Sequence, residues 1–135
     1  MRGSACLTGF DAVLFDMDGT LVDTEELWFE AGQAVARDFG VRLPEEAAPD
    51  LHGLDVPTLV LELQNRYGME AGVEEYSGAI LEEVLARLAE AESRPGAREL
   101  VEGTAATGKQ IALVSNSSHQ VIDATLAPYP WSRLL

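Results

Sequence analysis

The chain begins its regular patterning with a short run of consecutive apolar positions. Ala12, Val13, Leu14 and Phe15 follow one another without alternation and end at Asp16. A strand that is apolar on both sides is the signature of a parallel sheet covered on both faces. We therefore expect a buried strand from Phe10 to Asp16, broken by Gly19. The period then changes. Leu27, Ala31, Ala34, Val35 and Phe39 share one helical stripe, with Gly40 as its stop. Asp23 is the expected N-cap, with Glu26 in the capping-box position. Residues 41–55 read as loop. A second helix opens at Asp55-Val56-Pro57, shows Leu59, Val60, Leu63 and Tyr67 on one face, and ends at Gly68. A third covers about 73–92 through Tyr76, Ile80, Val84 and Leu88, with a densely acidic opposite face.

Ser93-Arg94-Pro95-Gly96-Ala97 is a hinge-like break. A short helix over about 97–107 follows, and Gly108 ends it. Ile111 to Val114 repeats the character of the first strand, closed by Ser115-Asn116-Ser117-Ser118. Another helix runs from about Ser118 to Leu126, and the last nine residues read as loop with an apolar end. The two strands are distant in sequence but alike, so they are expected side by side in one sheet. The three acidic helices between them form a separate lobe.

Composition narrows the class. In 135 residues, 47% are hydrophobic and 24% charged, the balance of an ordinary globular chain. No apolar run reaches the about 20 residues that span a bilayer. The first nine residues show no signal-peptide pattern, and Met1-Arg2-Gly3-Ser4 reads as an expression scar. One cysteine, Cys6, rules out an internal disulfide and a multi-cysteine zinc site and fits a cytoplasmic location. The 23 acids against 9 bases give a net charge of −14, which repels nucleic acid and anionic membranes. A phosphorylated substrate needs a bound cation and local donors to overcome that field.

The candidate chemistry sits at the end of the first strand. Asp16 and Asp18 are two apart, so an extended backbone points both to one side. Two close carboxylates repel, and a divalent cation holds both ionised; hard oxygen donors suit Mg²⁺. Gly19 permits a tight turn and Thr20 adds a hydroxyl. A plain turn-capping role for the two acids is the structural alternative. A calcium-binding loop starting at Asp16 fails, because its sixth and twelfth positions hold Leu21 and Leu27 in place of glycine and glutamate. No Gly-x-Gly-x-x-Gly follows either strand, which disfavours a dinucleotide-binding domain.

With its context, Asp16-Met17-Asp18-Gly19-Thr20-Leu21-Val22-Asp23-Thr24-Glu25 resembles the first motif of the haloacid dehalogenase-like (HAD) hydrolase superfamily, in its phosphatase and beta-phosphoglucomutase-like branch. Leu113 to Ser118 resembles the second motif. The resemblance implies an α/β fold with a Rossmann-like parallel sheet core at 9–22 and 93–135 and an inserted helical cap at 23–92. It implies Asp16 as nucleophile, Asp18 as general acid–base, and Mg²⁺ bound through Asp16 and Asp18. Gly19, Thr20, Ser115 and Asn116 are implied to hold the phosphoryl group of a small phosphorylated metabolite. The implied function is a Mg²⁺-dependent phosphatase, with a sugar phosphomutase as runner-up. The loop 50–57 carries no arginine to grip a second phosphate, which favours the phosphatase. His52 is a minor candidate for substrate contact. His119 reads as a bystander and Lys109 as solvated at the far end of its strand. Thr24 and Glu25 are placed at the opening between cap and core.

The chain departs from the family after Ser118, where it holds no lysine and only one acid, Asp123. The family's later motifs supply a lysine and an acidic pair. Losing one transition-state donor typically costs about 2.7–4 kcal/mol. The expectation is a cleaved or truncated phosphatase, active when the C-terminal part of the core comes from a complementing fragment or second copy. Its rival is an inactive scaffold fragment. Either way, the edge of a two-strand sheet, apolar on both faces, should stand exposed.

Overall fold

The computed structural model describes residues 9–135; Met1-Arg2-Gly3-Ser4 and Cys6 lie outside them. Strand β1 spans Ala12–Phe15 and strand β4 spans Gln110–Leu113. They pair in parallel, with Ala12 opposite Gln110 and Phe15 opposite Leu113. The backbone ladder extends past both ends: the Val114 amide donates to the Phe15 carbonyl at 2.7 Å and the Gln110 amide to the Asp11 carbonyl at 3.2 Å. This register places the carboxyl ends of both strands side by side, where open α/β sheets bind ligands.

The helical span between the strands is built from α1 (Glu25–Asp38), the short α2 (Ala48–Leu51), α3 (Val56–Tyr67) and α4 (Val73–Arg87). Its centre is apolar and closed: Val60, Leu63, Tyr76, Ile80, Val84 and Leu88 are all buried. The helices terminate by ordinary chemistry. The Asp55 side chain accepts the Thr58 amide at 2.8 Å and caps α3 at its start. Gly68, left-handed at φ 71°, ends α3. The sequence beyond comprises β3 (Glu92–Ser93), α5 (Ala97–Ala106), β4 and α6 (His119–Leu126). A 3₁₀ turn over Pro130–Leu134 follows, with Trp131 buried.

Several elements differ from expectation. The segment 41–55 is not all loop: a 3₁₀ turn at Glu45–Ala47 runs into α2. Asp23 does not cap α1. The N-cap is Thr24, without a side-chain cap bond, and the Asp23 carboxylate pairs instead with Arg94 at 3.3 Å. Two short strands absent from the periodicity, β2 (Val22–Asp23) and β3, pair antiparallel and join the two ends of the helical span. Two residues are too few to generate a pattern. The Lys109 ammonium is not merely solvated; it donates to the Phe10 carbonyl.

The largest correction concerns burial. The continuous apolar run of β1 suggested cover on both faces, yet only Phe15 is buried in it, while Leu14 is 66% exposed. Val114 is 55% and Phe10 63% exposed beside it. The α5 and α6 side of the molecule contributes buried Val101, Val121 and Leu126. The opposite face of the β1–β4 pair is open, the exposure expected of a sheet with too few layers.

Candidate active site

Immediately after β1 the chain folds back on itself around one carbonyl. The amides of Thr20, Leu21 and Val22 all approach the Met17 carbonyl oxygen, at 3.2, 2.9 and 3.1 Å. Gly19 makes the reversal possible at φ 70°, and its amide donates to the Val22 carbonyl at 2.8 Å. The Met17 side chain is fully buried, anchoring the loop from below. Asp16 and Asp18 flank it and both line one cleft of about 600 Å³.

The two acids have different surroundings. Asp16 is exposed; its Oδ1 accepts the Met17 amide at 2.9 Å and its Oδ2 a longer bond from the Thr20 hydroxyl at 3.3 Å. Asp18 is half-buried and held by hydroxyls from two directions. Thr24 donates to Oδ1 at 2.7 Å, and Ser117 to Oδ2 at 2.8 Å, with Ser115 at 3.5 Å. Ser115 in turn accepts the Ser117 amide at 3.1 Å. Residues nearly a hundred positions apart are thus joined at the carboxyl ends of β1 and β4.

Thr24 explains the bare cap of α1. It is fully buried, and its hydroxyl is spent as a donor to Asp18 rather than accepting an amide of its own helix. Ser118 does the ordinary thing at α6, accepting the Val121 amide at 3.4 Å. Asn116 lines the cleft between them, whereas Gly19 and Thr20 shape the loop from outside it. His52 also lines the cleft, edge-on to Phe29 with ring centroids 5.7 Å apart. His119 is exposed on α6 and is absent from the lining. The sequence reading singled out Ser115 and Asn116; the shorter contact to Asp18 comes from Ser117. Its position one helix turn before Val121 was visible, but which hydroxyl faces Asp18 depends on the turn geometry.

The donor set is hard oxygen, the kind Mg²⁺ prefers, and Mg²⁺ keeps several waters where protein ligands are few. Among the described residues no group of three or more His, Cys, Asp or Glu side chains is gathered to hold a metal. Asp16, exposed and lightly engaged, fits such an ion in kind; the Asp18 carboxylate is largely occupied by hydroxyl donors.

The model of the family described as "Haloacid dehalogenase-like hydrolase" matches residues 13–134. The chain belongs to the haloacid dehalogenase-like hydrolase family. It is 31% identical over 114 residues to the "Phosphorylated carbohydrates phosphatase" of Thermotoga maritima, covering 79% of this chain and 50% of that protein. It is 26% identical over 116 residues to a Drosophila melanogaster protein named "Probable pseudouridine-5'-phosphatase", covering 86% and 50%. The chain therefore spans about half the length of the curated relatives it matches. Its fold is that of CbbY from Rhodobacter sphaeroides, solved in complex with phosphate. The TM-score is 0.76 at 24% identity, over 93% of this chain and 60% of that one. No helix among the described residues of this HAD-family chain is long and apolar enough to cross a membrane.

Proposed function

We propose that this HAD-family chain carries the nucleophile half of a Mg²⁺-dependent phosphatase acting on a small phosphate monoester. The observation that carries this reading is the shared cleft. Asp16 stands open on it, and Asp18 is fixed beside it by hydroxyls from both motifs. The names of the two curated relatives support a phosphate ester as substrate.

In this reading an Asp16 carboxylate oxygen attacks phosphorus. The bond from phosphorus to the ester oxygen breaks, and Asp18 delivers its proton to that oxygen, so the alcohol leaves and an aspartyl-phosphate remains. Water then attacks the same phosphorus and gives a proton back to Asp18. Cleavage of the phosphorus–Asp16 bond releases phosphate. Thr24 and Ser117 orient the Asp18 carboxyl for both transfers, and Ser115, Asn116, Gly19 and Thr20 set the phosphoryl-facing surface. An Asp16 carboxylate oxygen and the Asp18 backbone carbonyl would hold Mg²⁺, which would supply charge neutralisation for the dianion when bound. Residues 9–22 with 93–135 act as the core and 23–92 as the cap. The Val22–Ser93 and Asp23–Glu92 pairing at the foot of the helical span supports that division. Assembly with a polypeptide that completes the sheet belongs to the same reading, supported by the exposed Leu14 and Val114.

No lysine or arginine lines the cleft among the described residues, which favours hydrolysis over a phosphomutase that must also grip a second phosphate. The test is Asp16→Asn in the active assembly. Turnover of a phosphate monoester should fall below detection with the fold intact by circular dichroism. Retained turnover would remove Asp16 as nucleophile.

A further inference from the structure

The cleft has two unlike ends. At the floor are Asp16, Asp18, Asn116, Ser117 and Ser118; the walls above come from α1, α3 and α4. Those walls are apolar. Trp28 and Phe29 of α1, Leu59 of α3, and Ile80 and Leu81 of α4 all face the same space. Trp28, Phe29, Leu59 and Leu81 are only partly buried, so the helical packing leaves apolar surface turned toward the cleft.

The polar groups of the walls are few, and some are already committed. The Asp55 carboxylate is engaged with the Thr58 amide at the start of α3. His52 lies against Phe29. Glu25, Ser77 and the Trp28 indole N–H complete the side-chain polar groups of that region, apart from the buried Tyr76 hydroxyl, which is directed to the Gly32 carbonyl at 3.4 Å. A second anionic group on a substrate would meet the Glu25 and Asp55 carboxylates and no guanidinium or ammonium. A ring of free hydroxyls would lose water and find few partners, which is how an apolar wall discriminates against a polyol.

We infer that the organic part of the substrate is uncharged and predominantly apolar, an aromatic or aliphatic alcohol esterified to one phosphate, bound against Trp28, Phe29 and Leu81. This rests on the phosphoryl-site reading above and narrows it. It sets the chain apart from its Thermotoga maritima relative, whose name specifies phosphorylated carbohydrates. Trp28 and Phe29 are the specificity-determining residues, because they lie on α1 one and two positions past the turn that begins at Thr24 and overlook the floor.

Calorimetric titration of the full chain as its Asp16→Asn variant, with Mg²⁺ present, tests this without turnover. The probes are 1-naphthyl phosphate, glucose 6-phosphate, inorganic phosphate and 1-naphthol. The expected result is 1-naphthyl phosphate bound at least about tenfold tighter than glucose 6-phosphate, the scale of one good apolar subsite. In Trp28→Ala that preference should shrink by a similar factor while inorganic phosphate binds as before. The ranking in the chain with Trp28 intact decides the matter even where Trp28→Ala folds poorly. Equal binding of the two esters, or preference for the sugar, overturns the substrate class and leaves the phosphoryl site standing. Binding of 1-naphthol with no binding of any phosphate overturns the phosphoryl site, and this inference with it.

Discussion

The helical span and the β1–β4 pair are both apolar in sequence, yet one is closed and the other open. Between α1, α3 and α4 the large side chains disappear: Tyr76, Leu63, Val60 and Val84 have no exposed surface. On the strand pair, Leu14 and Val114 remain more than half exposed. The difference is one of layers. Three helices supply each other with cover, since residues three or four apart present one continuous stripe. A two-stranded sheet has two faces, and here α5 packs on β4 while the face that carries Leu14 and Val114 stays open. The Asp16–Thr20 loop is therefore mounted on the less protected region, while the apolar walls of the cleft belong to the better packed one. Architecture and chemistry are carried by separate parts of the molecule.

The comparison breaks most directly at Tyr76. Truncation by Tyr76→Ala should cost about 3–5 kcal/mol in denaturant unfolding, the range for deleting a buried aromatic. A loss under about 1 kcal/mol would mean that the helical interior is not the closed region. The next effect lies at the seam. Thr24→Val keeps the shape but removes the hydroxyl that bonds Asp18 at 2.7 Å. It should cost about 1–3 kcal/mol, as an acceptor is left without its buried donor, and should lower turnover in any active assembly.

A titration sharpens the contrast further. Burial pushes the Tyr76 hydroxyl up from 10.0 to about 12. A raised folded-state value favours the neutral form in the native protein. The stability it represents is complete below pH 10 and is lost as pH climbs from there through about 12. Melting temperature should therefore fall over that interval, and Tyr76→Phe should flatten the fall. The smallest effect is expected on the open sheet face. Leu14→Thr puts a β-branched residue that suits a strand into β1 and should change stability by no more than about 0.5 kcal/mol, since little contact is lost. Its readout is self-association by analytical ultracentrifugation, which should decrease. A large destabilisation would show that this face is covered.

Much of the fold was legible because its signals are local. The stripe through Tyr76, Ile80, Val84 and Leu88 predicted a buried helix face, and all four are buried. The caps at Asp55 and Ser118 and the stop at Gly68 follow from the chemistry of single residues. The failures share a cause as well. Asp23 has the right residue type and spacing for an N-cap, but Arg94 claims its carboxylate across 71 positions of sequence. The two-residue strands at Val22 and Glu92 exist only as partners of each other.

The sequence by itself determined the longer helices, the two principal strands, the family and the pair Asp16 and Asp18, because periodicity and motif spacing are properties of neighbours along the chain. Tertiary structure decided the rest: that Ser117 and Thr24 hold Asp18, that Trp28 and Phe29 wall the cleft, and that one face of β1 stays open. Those depend on which surfaces meet in space, and an apolar residue reads the same in a string whether or not anything packs against it.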